Sequence, residues 1–239
     1  MVYQCLKFVQ SLLFPPVCRL CLAPGLPDLD LCAACRDELP WLDRGCECCA
    51  APLPEGASAA LCPRCQKRRP PLDRCRALFQ YRKPVDAWIQ ALKFNRDLAA
   101  ARLLGGLLLE HMPEAPGDSR PVLIPVPLHR ARLGQRGYNQ SLEIARPWRS
   151  RGYRIDTRLC RRRRSTRAQS ELPADARRGN VRDAFAATAE LDGGHFVLID
   201  DVMTTGATLN ELARTLKRAG ARRVDAWVIA RTAIGRRIS

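Results

Sequence analysis

The chain has few aromatic residues, few lysines and no long apolar run. Aromatic side chains make up 6% of its 239 residues. This scarcity weighs against a surface that binds single strands by stacking bases on rings. No apolar run is long enough to cross a bilayer, so we expect no membrane span. Apolar residues still account for 46% of the chain, which supports one α/β domain plus a small module.

The N-terminal stretch from Met1 to Val17 is mildly apolar and has no small-residue cleavage site after it. Its apolar residues fall on one helical face, and Pro15-Pro16 ends the run. We therefore expect an amphipathic helix that packs on the body of the protein, not a signal peptide. A cytoplasmic location is the corresponding expectation.

Positive charge is concentrated in one segment. The formal net charge is +16, from 35 arginines and only five lysines against 24 acidic residues. Between Arg130 and Arg182 there are 16 arginines and four acidic residues. Such a surface attracts pyrophosphate or a nucleic-acid backbone, although a solvated basic face with no partner gives the same pattern. The candidate nucleic-acid contacts are the consecutive residues Arg161, Arg162, Arg163 and Arg164.

Eleven of the twelve cysteines precede residue 76, and eight of them form Cys-x-x-Cys pairs. Two such pairs complete a tetrahedral four-thiolate zinc site with no position open for substrate. The spacing therefore predicts two structural zinc ribbons in tandem, although an interleaved arrangement stays open. Disulfides compete with this interpretation but fit poorly in a chain without a secretion signal. The candidate ligands are Cys18, Cys21, Cys32, Cys35, Cys46, Cys49, Cys62 and Cys65.

Pro70-Pro71 marks a linker, which predicts two domains. Residues 1–70 would hold the N-terminal helix and the double zinc ribbon, and residues 76–239 would form the second domain. There, strands alternate with helical stretches, which indicates an α/β fold with a parallel sheet flanked by helices. The stretch from Val85 to Met112 is predicted to be helical, with a break near Gly105-Gly106.

The most informative segment is F-V-L-I-D-D-V-M-T-T-G-A-T, from Phe196 to Thr208. Its apolar residues predict a buried strand, and a loop of hydroxyl residues and glycine then leads into a helix. Asp200 and Asp201, at the end of this strand, can accept hydrogen bonds from ribose hydroxyls and are the candidate catalytic residues. A helix N-terminus binds phosphate through free N–H groups and its partial positive charge. The candidate phosphate-binding residues are Thr204, Thr205, Gly206, Ala207 and Thr208.

A second loop is expected at the same sheet edge, because parallel strands end at one edge. The strand from Pro121 to Pro125 leads into a basic loop. Arg132 and Arg136 are candidate bidentate partners of a pyrophosphate. His129 either donates a hydrogen bond there or is a solvated loop residue. The polar run from Arg164 to Asn180 either covers the phosphates or is a disordered basic loop.

The segment from Phe196 to Thr208 looks like the phosphoribosyl pyrophosphate (PRPP) motif of type I phosphoribosyltransferases. Together with the cysteine pairs, the motifs resemble the ComF/GntX family of bacterial proteins over nearly the whole chain. One departure is that the usual glycine after the third cysteine pair is Ala50. The other matching segments are A-A-P-L at Ala50–Leu53, Leu92-Lys93-Phe94, P-V-P-L-H at Pro125–His129, R-G-Y-N-Q at Arg136–Gln140, R-x-T-x-x-Q-x-x-L at Arg164–Leu172, and R-x-x-N at Arg177–Asn180.

This resemblance implies a type I phosphoribosyltransferase-like domain behind zinc ribbons, with PRPP bound alongside Mg²⁺. It also implies a role in the uptake or use of external DNA, including natural transformation, with DNA-uptake machinery such as a helicase as a partner. Three function classes stay open: a DNA-handling factor that binds single-stranded DNA and PRPP, a phosphoribosyltransferase of nucleotide salvage, and a PRPP-sensing regulator. The acceptor of a phosphoribosyl group is not visible in the sequence.

Overall fold

The structure, a computed structural model, describes residues 15–113, 120–164 and 181–233. The chain divides into two compact units, Met1–Pro40 and Trp41–Ser239. Most of the predicted N-terminal helix and of the polar run after Arg164 therefore lies outside the described residues. The domain boundary near Pro70-Pro71 stays a prediction.

The first unit is made of short turns around two cysteine pairs. Backbone bridges join Val17 to Pro24 and Leu26 to Leu29. A one-turn helix, α1 (Ala33–Asp37), begins after Cys32, whose sulfur lies 3.5 Å from the N–H of Cys35. Because the first unit has so little regular structure, it buries little apolar area. A metal would therefore supply much of the folding energy of this unit.

The second unit is built on a parallel sheet, which confirms the predicted α/β fold. Its strands are β1 (Arg74–Gln80), β2 (Val122–Pro125), β5 (His195–Met203) and β6 (Arg223–Arg231). Among the described residues these four strands lie in the order β1–β6–β5–β2, and each neighbouring pair is parallel. Two further strands, β3 (Cys160–Arg162) and β4 (Phe185–Ala187), form an antiparallel pair of their own.

Helices flank this sheet, and within the described ranges none is long and apolar enough to cross a membrane. A short 3₁₀ helix spans Arg146–Arg151. The α-helices of the second unit are α2 (Pro63–Lys67), α3 (Val85–Phe94), α4 (Leu98–His111), α5 (Arg130–Arg136), α6 (Gln140–Ala145) and α7 (Ala207–Arg218).

The two faces of the sheet are covered by different elements. Successive strand residues point to opposite faces, so Leu198 and Ala226 lie on one face and Trp227 lies on the other. The first face packs against the buried leucines of α7 and against the second group of cysteine pairs. On the opposite face, the Trp227 ring stacks on Trp148 of the 3₁₀ helix at 5.9 Å, and α4 and α6 contact the strands.

The predicted helix break at Gly105-Gly106 is wrong. The chain breaks instead between α3 and α4, where the Asp97 carboxylate accepts a hydrogen bond from the N–H of Ala100 at 3.0 Å and caps α4. A Cβ atom at Gly105 would lie 2.5 Å from the carbonyl oxygen of Ile144 in α6. This glycine therefore permits the close approach of two helices instead of ending one.

Candidate functional site

The loop between β5 and α7 has the geometry of an anion-binding turn. Gly206 has a φ of +76°, and a Cβ atom there would lie 2.6 Å from the Met203 side chain. Only glycine adopts this conformation without strain. The hydroxyl of Thr205 accepts a hydrogen bond from the N–H of Ala207 at 3.3 Å and so fixes the turn. The turn directs the start of a 12-residue helix, with its partial positive charge, toward the sheet edge.

Two adjacent acids at the end of β5 have different partners. The carboxylate of Asp201 is buried, and its Oδ1 lies 2.8 Å from the Nζ of Lys93 in α3. Its other oxygen, Oδ2, is buried without a hydrogen-bond partner among the described residues. Asp200 accepts one hydrogen bond from the Ser141 hydroxyl and one from the N–H of Asp201, each at 3.0 Å. The pair thus offers carboxylate oxygens with capacity left for a ligand.

Burial raises the pKa of Asp200 to about 7, and the neighbouring charge of Asp201 acts in the same direction. The charge of Lys93 and the hydrogen bond from Ser141 oppose this shift of the Asp200 pKa. Asp200 therefore changes its charge near neutral pH. A ligand that requires two carboxylates must displace a proton when it binds in this range.

The loop and both acids line a cavity of about 670 Å³. Within the described ranges, cationic side chains outnumber the two carboxylates in its lining, so the cavity favours a polyanionic ligand. Its volume is typical of small-molecule sites. The cationic lining residues are Lys93, Arg96, Arg132, Arg136 and Arg162.

Arg136 is held in place from two sides. Its Nη1 donates a hydrogen bond to the Oε1 of Gln140 at 2.7 Å, and its guanidinium lies 5.9 Å from the centre of the Phe94 ring. Next to it, Asn139 caps α6 by accepting from the N–H of Ser141, and its amide donates to the carbonyl of Val126. The R-G-Y-N-Q segment thus connects an arginine of the cavity to the end of β2.

Most of the predicted sugar-phosphate residues line this cavity, and two do not. The Thr205 hydroxyl is used within the turn, as described above. His129 caps α5, where its Nδ1 accepts from the N–H of Ala131 at 3.3 Å, and it faces a neighbouring groove. Those in the cavity lining are Asp200, Asp201, Thr204, Gly206, Ala207, Thr208, Arg132 and Arg136.

The neighbouring groove has a volume of about 1030 Å³ and shares Leu128 and Arg162 with the cavity. It also contains Arg161 and Arg163, whereas Arg164 lies outside both linings and donates to the carbonyl of Arg182. Arg130 and Arg146 add positive charge. The groove is therefore strongly basic, and its acidic lining residue, Glu143, is paired with Arg146 at 3.0 Å.

The eight predicted metal ligands form two clusters, one in each compact unit. Within each cluster all four sulfur atoms lie within 4.8 Å of one another. Tetrahedral zinc with Zn–S bonds of about 2.3 Å separates its sulfurs by about 3.8 Å, so both clusters fit this ion. Consecutive pairs share a cluster, in tandem and not interleaved. The first cluster is Cys18, Cys21, Cys32 and Cys35, and the second cluster is Cys46, Cys49, Cys62 and Cys65.

Comparisons with known proteins agree with both parts of this architecture. Residues 9–75 match the double zinc ribbon domain, and residues 159–237 match the phosphoribosyl transferase domain. The DNA utilization protein YhgH of Escherichia coli O6:H1 is 35% identical over 224 residues, which cover 91% of this chain and 98% of that protein. The chain belongs to the ComF/GntX family.

Two other relatives of this ComF/GntX protein carry competence names. Competence protein F of Haemophilus influenzae is 30% identical over 210 residues, covering 84% of this chain and 90% of the relative. Competence protein ComFC of Bacillus subtilis is 26% identical over 206 residues, covering 81% of this chain and 80% of the relative. The similarity therefore spans the zinc ribbons and the sheet together.

Four side chains that line the cavity or contact its lining residues were not predicted as part of the sugar-phosphate site. Lys93 and Ser141 contact the two acids, and Arg162 lines the cavity although its run was assigned to nucleic acid. Arg231 donates hydrogen bonds to the carbonyl oxygens of Met203 and Thr204, where the loop between β5 and α7 begins. One signal was available, because Lys93 stands in a segment that matches the ComF/GntX family. The others come from elements whose proximity depends on the folded sheet.

Proposed function

We propose that this ComF/GntX protein binds PRPP together with Mg²⁺ in the cavity and acts in the cytoplasm in the uptake or use of external DNA. One observation carries the proposal: two adjacent acids and a glycine-threonine helix start lie together in a cavity whose cationic lining residues outnumber its carboxylates. The names of its relatives, a DNA utilization protein and two competence proteins, support the DNA-related part.

The proposed roles follow from the position of each group. Asp200 and Asp201 accept hydrogen bonds from the ribose hydroxyls, and the buried Oδ2 of Asp201 is the acceptor without a protein partner. The loop that precedes α7 holds the 5′-phosphate through its N–H groups and hydroxyls. Arg132 and Arg136 bind the pyrophosphate, because their planar guanidinium groups match phosphate oxygens.

The two carboxylates also fit Mg²⁺, which prefers oxygen ligands and is commonly bound by one or two carboxylates plus substrate phosphates. When bound, the ion would supply charge neutralisation for the pyrophosphate. The chain's own contribution is to hold the ribose ring against β5 and to stabilise negative charge on the pyrophosphate. In a phosphoribosyl transfer, that stabilisation would favour departure of the pyrophosphate from a sugar with oxocarbenium character.

The basic groove is the proposed site for single-stranded DNA. It shares Arg162 with the cavity; Arg161 and Arg162 belong to the short strand β3, and Arg163 follows it directly. A groove of this charge attracts a phosphate backbone without regard to sequence. DNA-uptake machinery, for example a helicase, is the proposed protein partner.

The decisive experiment is calorimetry with PRPP in the presence and absence of Mg²⁺. We expect Mg²⁺-dependent binding to the unmodified protein. In the double variant Asp200→Asn/Asp201→Asn we expect a loss of at least about 100-fold, since two charge-assisted hydrogen bonds contribute about 1.5–3 kcal/mol each. Asp192→Asn is the matched control, because this exposed acid precedes β5 at the other end of the strand.

Equal affinity of the double variant and the control would refute the assignment of the two acids. No binding to the unmodified protein would refute PRPP as the ligand. A parallel assay of pyrophosphate release separates the classes: release with an acceptor indicates a transferase, and binding without release indicates a PRPP-sensing protein.

A further inference from the structure

Arg231, the last residue of β6, is a buried cation whose exposed fraction is 2%. Its Nη1 donates to the carbonyl oxygens of Met203 at 3.0 Å, Thr204 at 2.5 Å and Thr232 at 2.7 Å. Its Nε donates to the carbonyl oxygen of Cys49 at 2.8 Å. One guanidinium group therefore bridges a ligand of the second cluster and the first residues of the loop between β5 and α7. This loop, residues 203–208, is called the phosphate loop below, after the role proposed for it.

The cluster end of this bridge is a tight turn. The N–H of Ala50 donates to the carbonyl of Cys46 at 2.7 Å, and Ala50 has a φ of +50°. A residue other than glycine is strained in this left-handed conformation, so the turn depends on its surroundings. Metal bound by Cys46 and Cys49 would fix the turn and with it the direction of the Cys49 carbonyl.

The loop end of the bridge has a second link to the same region. The thiol of Cys75 lies 3.3 Å from the sulfur of Met203, and both residues belong to the apolar cluster that contains the second group of cysteines. The Met203 side chain also lies where a Cβ atom at Gly206 would point, at 2.6 Å from that position. A shift of Met203 and Thr204 would therefore change the turn that begins α7.

We propose that Arg231 is a positioning residue that couples metal in the second cluster to the conformation of the phosphate loop. Metal in this cluster fixes the direction of the Cys49 carbonyl, which accepts a hydrogen bond from Arg231. Arg231 in turn fixes the carbonyls of Met203 and Thr204, so the loop stays in the conformation that binds a phosphate. The part that concerns ligand affinity rests on the proposed PRPP site. Because coupling between two sites is reciprocal, PRPP must in turn strengthen metal binding in the second cluster.

The first test needs no ligand. Hydrogen–deuterium exchange is measured for the amides of residues 203–208, with β2 as an internal reference, in Cys65→Ala and in the matched first-cluster variant Cys35→Ala. We expect faster exchange of the loop in Cys65→Ala, unchanged exchange in β2, and an unchanged loop in Cys35→Ala. An unchanged loop in Cys65→Ala would overturn the proposal, and so would equal loss of protection in β2, which indicates a general folding role.

The second test keeps both clusters intact. Arg231→Met removes the donors, whereas Arg231→Lys keeps the charge and can reach only one side of the bridge. With zinc content verified, we expect fast loop exchange in Arg231→Met and intermediate exchange in Arg231→Lys. Slow exchange in both variants would contradict a role for the guanidinium.

The third test uses PRPP with Mg²⁺ and measures zinc affinity by equilibrium competition with a chromophoric chelator. We expect PRPP to raise the zinc affinity of the second cluster about tenfold and to leave that of the first cluster unaffected, with Cys35→Ala and Cys65→Ala identifying the two sites. Arg231→Met should abolish the effect. If the unmodified protein does not bind PRPP, the proposed function fails while the exchange tests still decide the coupling. If it binds PRPP without any change in zinc affinity, the coupling fails.

Discussion

At the residue scale, two consecutive aspartates are kept chemically distinct by side chains from other elements. Lys93 pairs with Asp201 at 2.8 Å, while Asp200 accepts hydrogen bonds from a serine hydroxyl and a backbone N–H. Since burial and the Asp201 charge raise the pKa of Asp200 to about 7, the pair carries less than two negative charges at neutral pH. Binding of a ribose or a cation by ionised Asp200, as proposed, would therefore release a proton.

This linkage predicts a pH dependence of PRPP binding. Mg²⁺ and hydroxyl groups favour ionised Asp200, so affinity should rise as pH increases through about 7, where Asp200 loses its proton, and level off above it. Lys93→Gln removes a charge that lowers the pKa of Asp200, so the midpoint of the rise should move to higher pH. Calorimetry in buffers with different ionisation enthalpies would show the proton released on binding.

Lys83→Gln is the matched control, since this exposed lysine lies just before α3 and outside the cavity lining. Its midpoint should equal that of the unmodified protein. Identical midpoints for Lys93→Gln and Lys83→Gln would contradict the electrostatic role of Lys93.

The stability of the unliganded protein depends on pH in the opposite direction. Because the pKa of Asp200 is raised on folding, the contribution of Asp200 to the free energy of unfolding falls as pH rises from 3.8 toward 7.

The sequence was sufficient for the residues that follow one another along the chain. A buried strand, two acids and a threonine-glycine loop form one continuous segment, so their proximity needs no knowledge of the sheet order. Lys93 and Ser141 were not predicted to contact these acids because they lie on α3 and α6. The helix α6 follows β2 in the chain, and it comes beside Asp200 only because β2 pairs in parallel with β5.

At the element scale, the two adjacent glycines of α4 have opposite environments. A Cβ at Gly105 would meet the Ile144 carbonyl at 2.5 Å, whereas a Cβ at Gly106 would meet nothing within 4 Å. The sequence alone treats both as weak points of a helix, because glycine has low helix propensity. In the structure only Gly105 is needed for the close packing of α4 against α6. The predicted break was wrong because this packing keeps the helix continuous through both glycines.

The two glycines give a matched pair of substitutions. Gly106→Ala should stabilise the protein by up to about 1 kcal/mol, since alanine has the higher helix propensity. Gly105→Ala should destabilise it by about 1–3 kcal/mol, because the added methyl group forces α4 and α6 apart. Denaturant unfolding measures both, and equal effects of the two substitutions would show that α4 and α6 are not in close contact.

At the scale of the whole molecule, positive charge is distributed unevenly between the two ends of the sheet. The carboxyl ends of β2 and β5 face the cavity, and the adjoining groove contains Arg161, Arg162 and Arg163. At the amino ends, Arg223 is paired with Asp225 at 2.8 Å and Lys217 with Asp73 at 2.8 Å. A polyanion would therefore have its most favourable electrostatic binding energy at the cavity and the groove.

This asymmetry predicts how single-stranded DNA binding responds to salt. Each phosphate contact contributes about 0.7 to the slope of log affinity against log salt on single strands, so Arg161→Ala/Arg163→Ala should reduce the slope by about 1.4. The control Arg74→Ala/Arg222→Ala removes the same charge from exposed positions at the amino ends of the strands and should change the slope little. Fluorescence anisotropy with a labelled oligonucleotide at several salt concentrations measures both. Equal slope changes in the two variants would show that DNA binding depends on net charge and not on the groove. Binding at one specific site depends on which arginines are removed, whereas binding through net charge depends only on how many are removed.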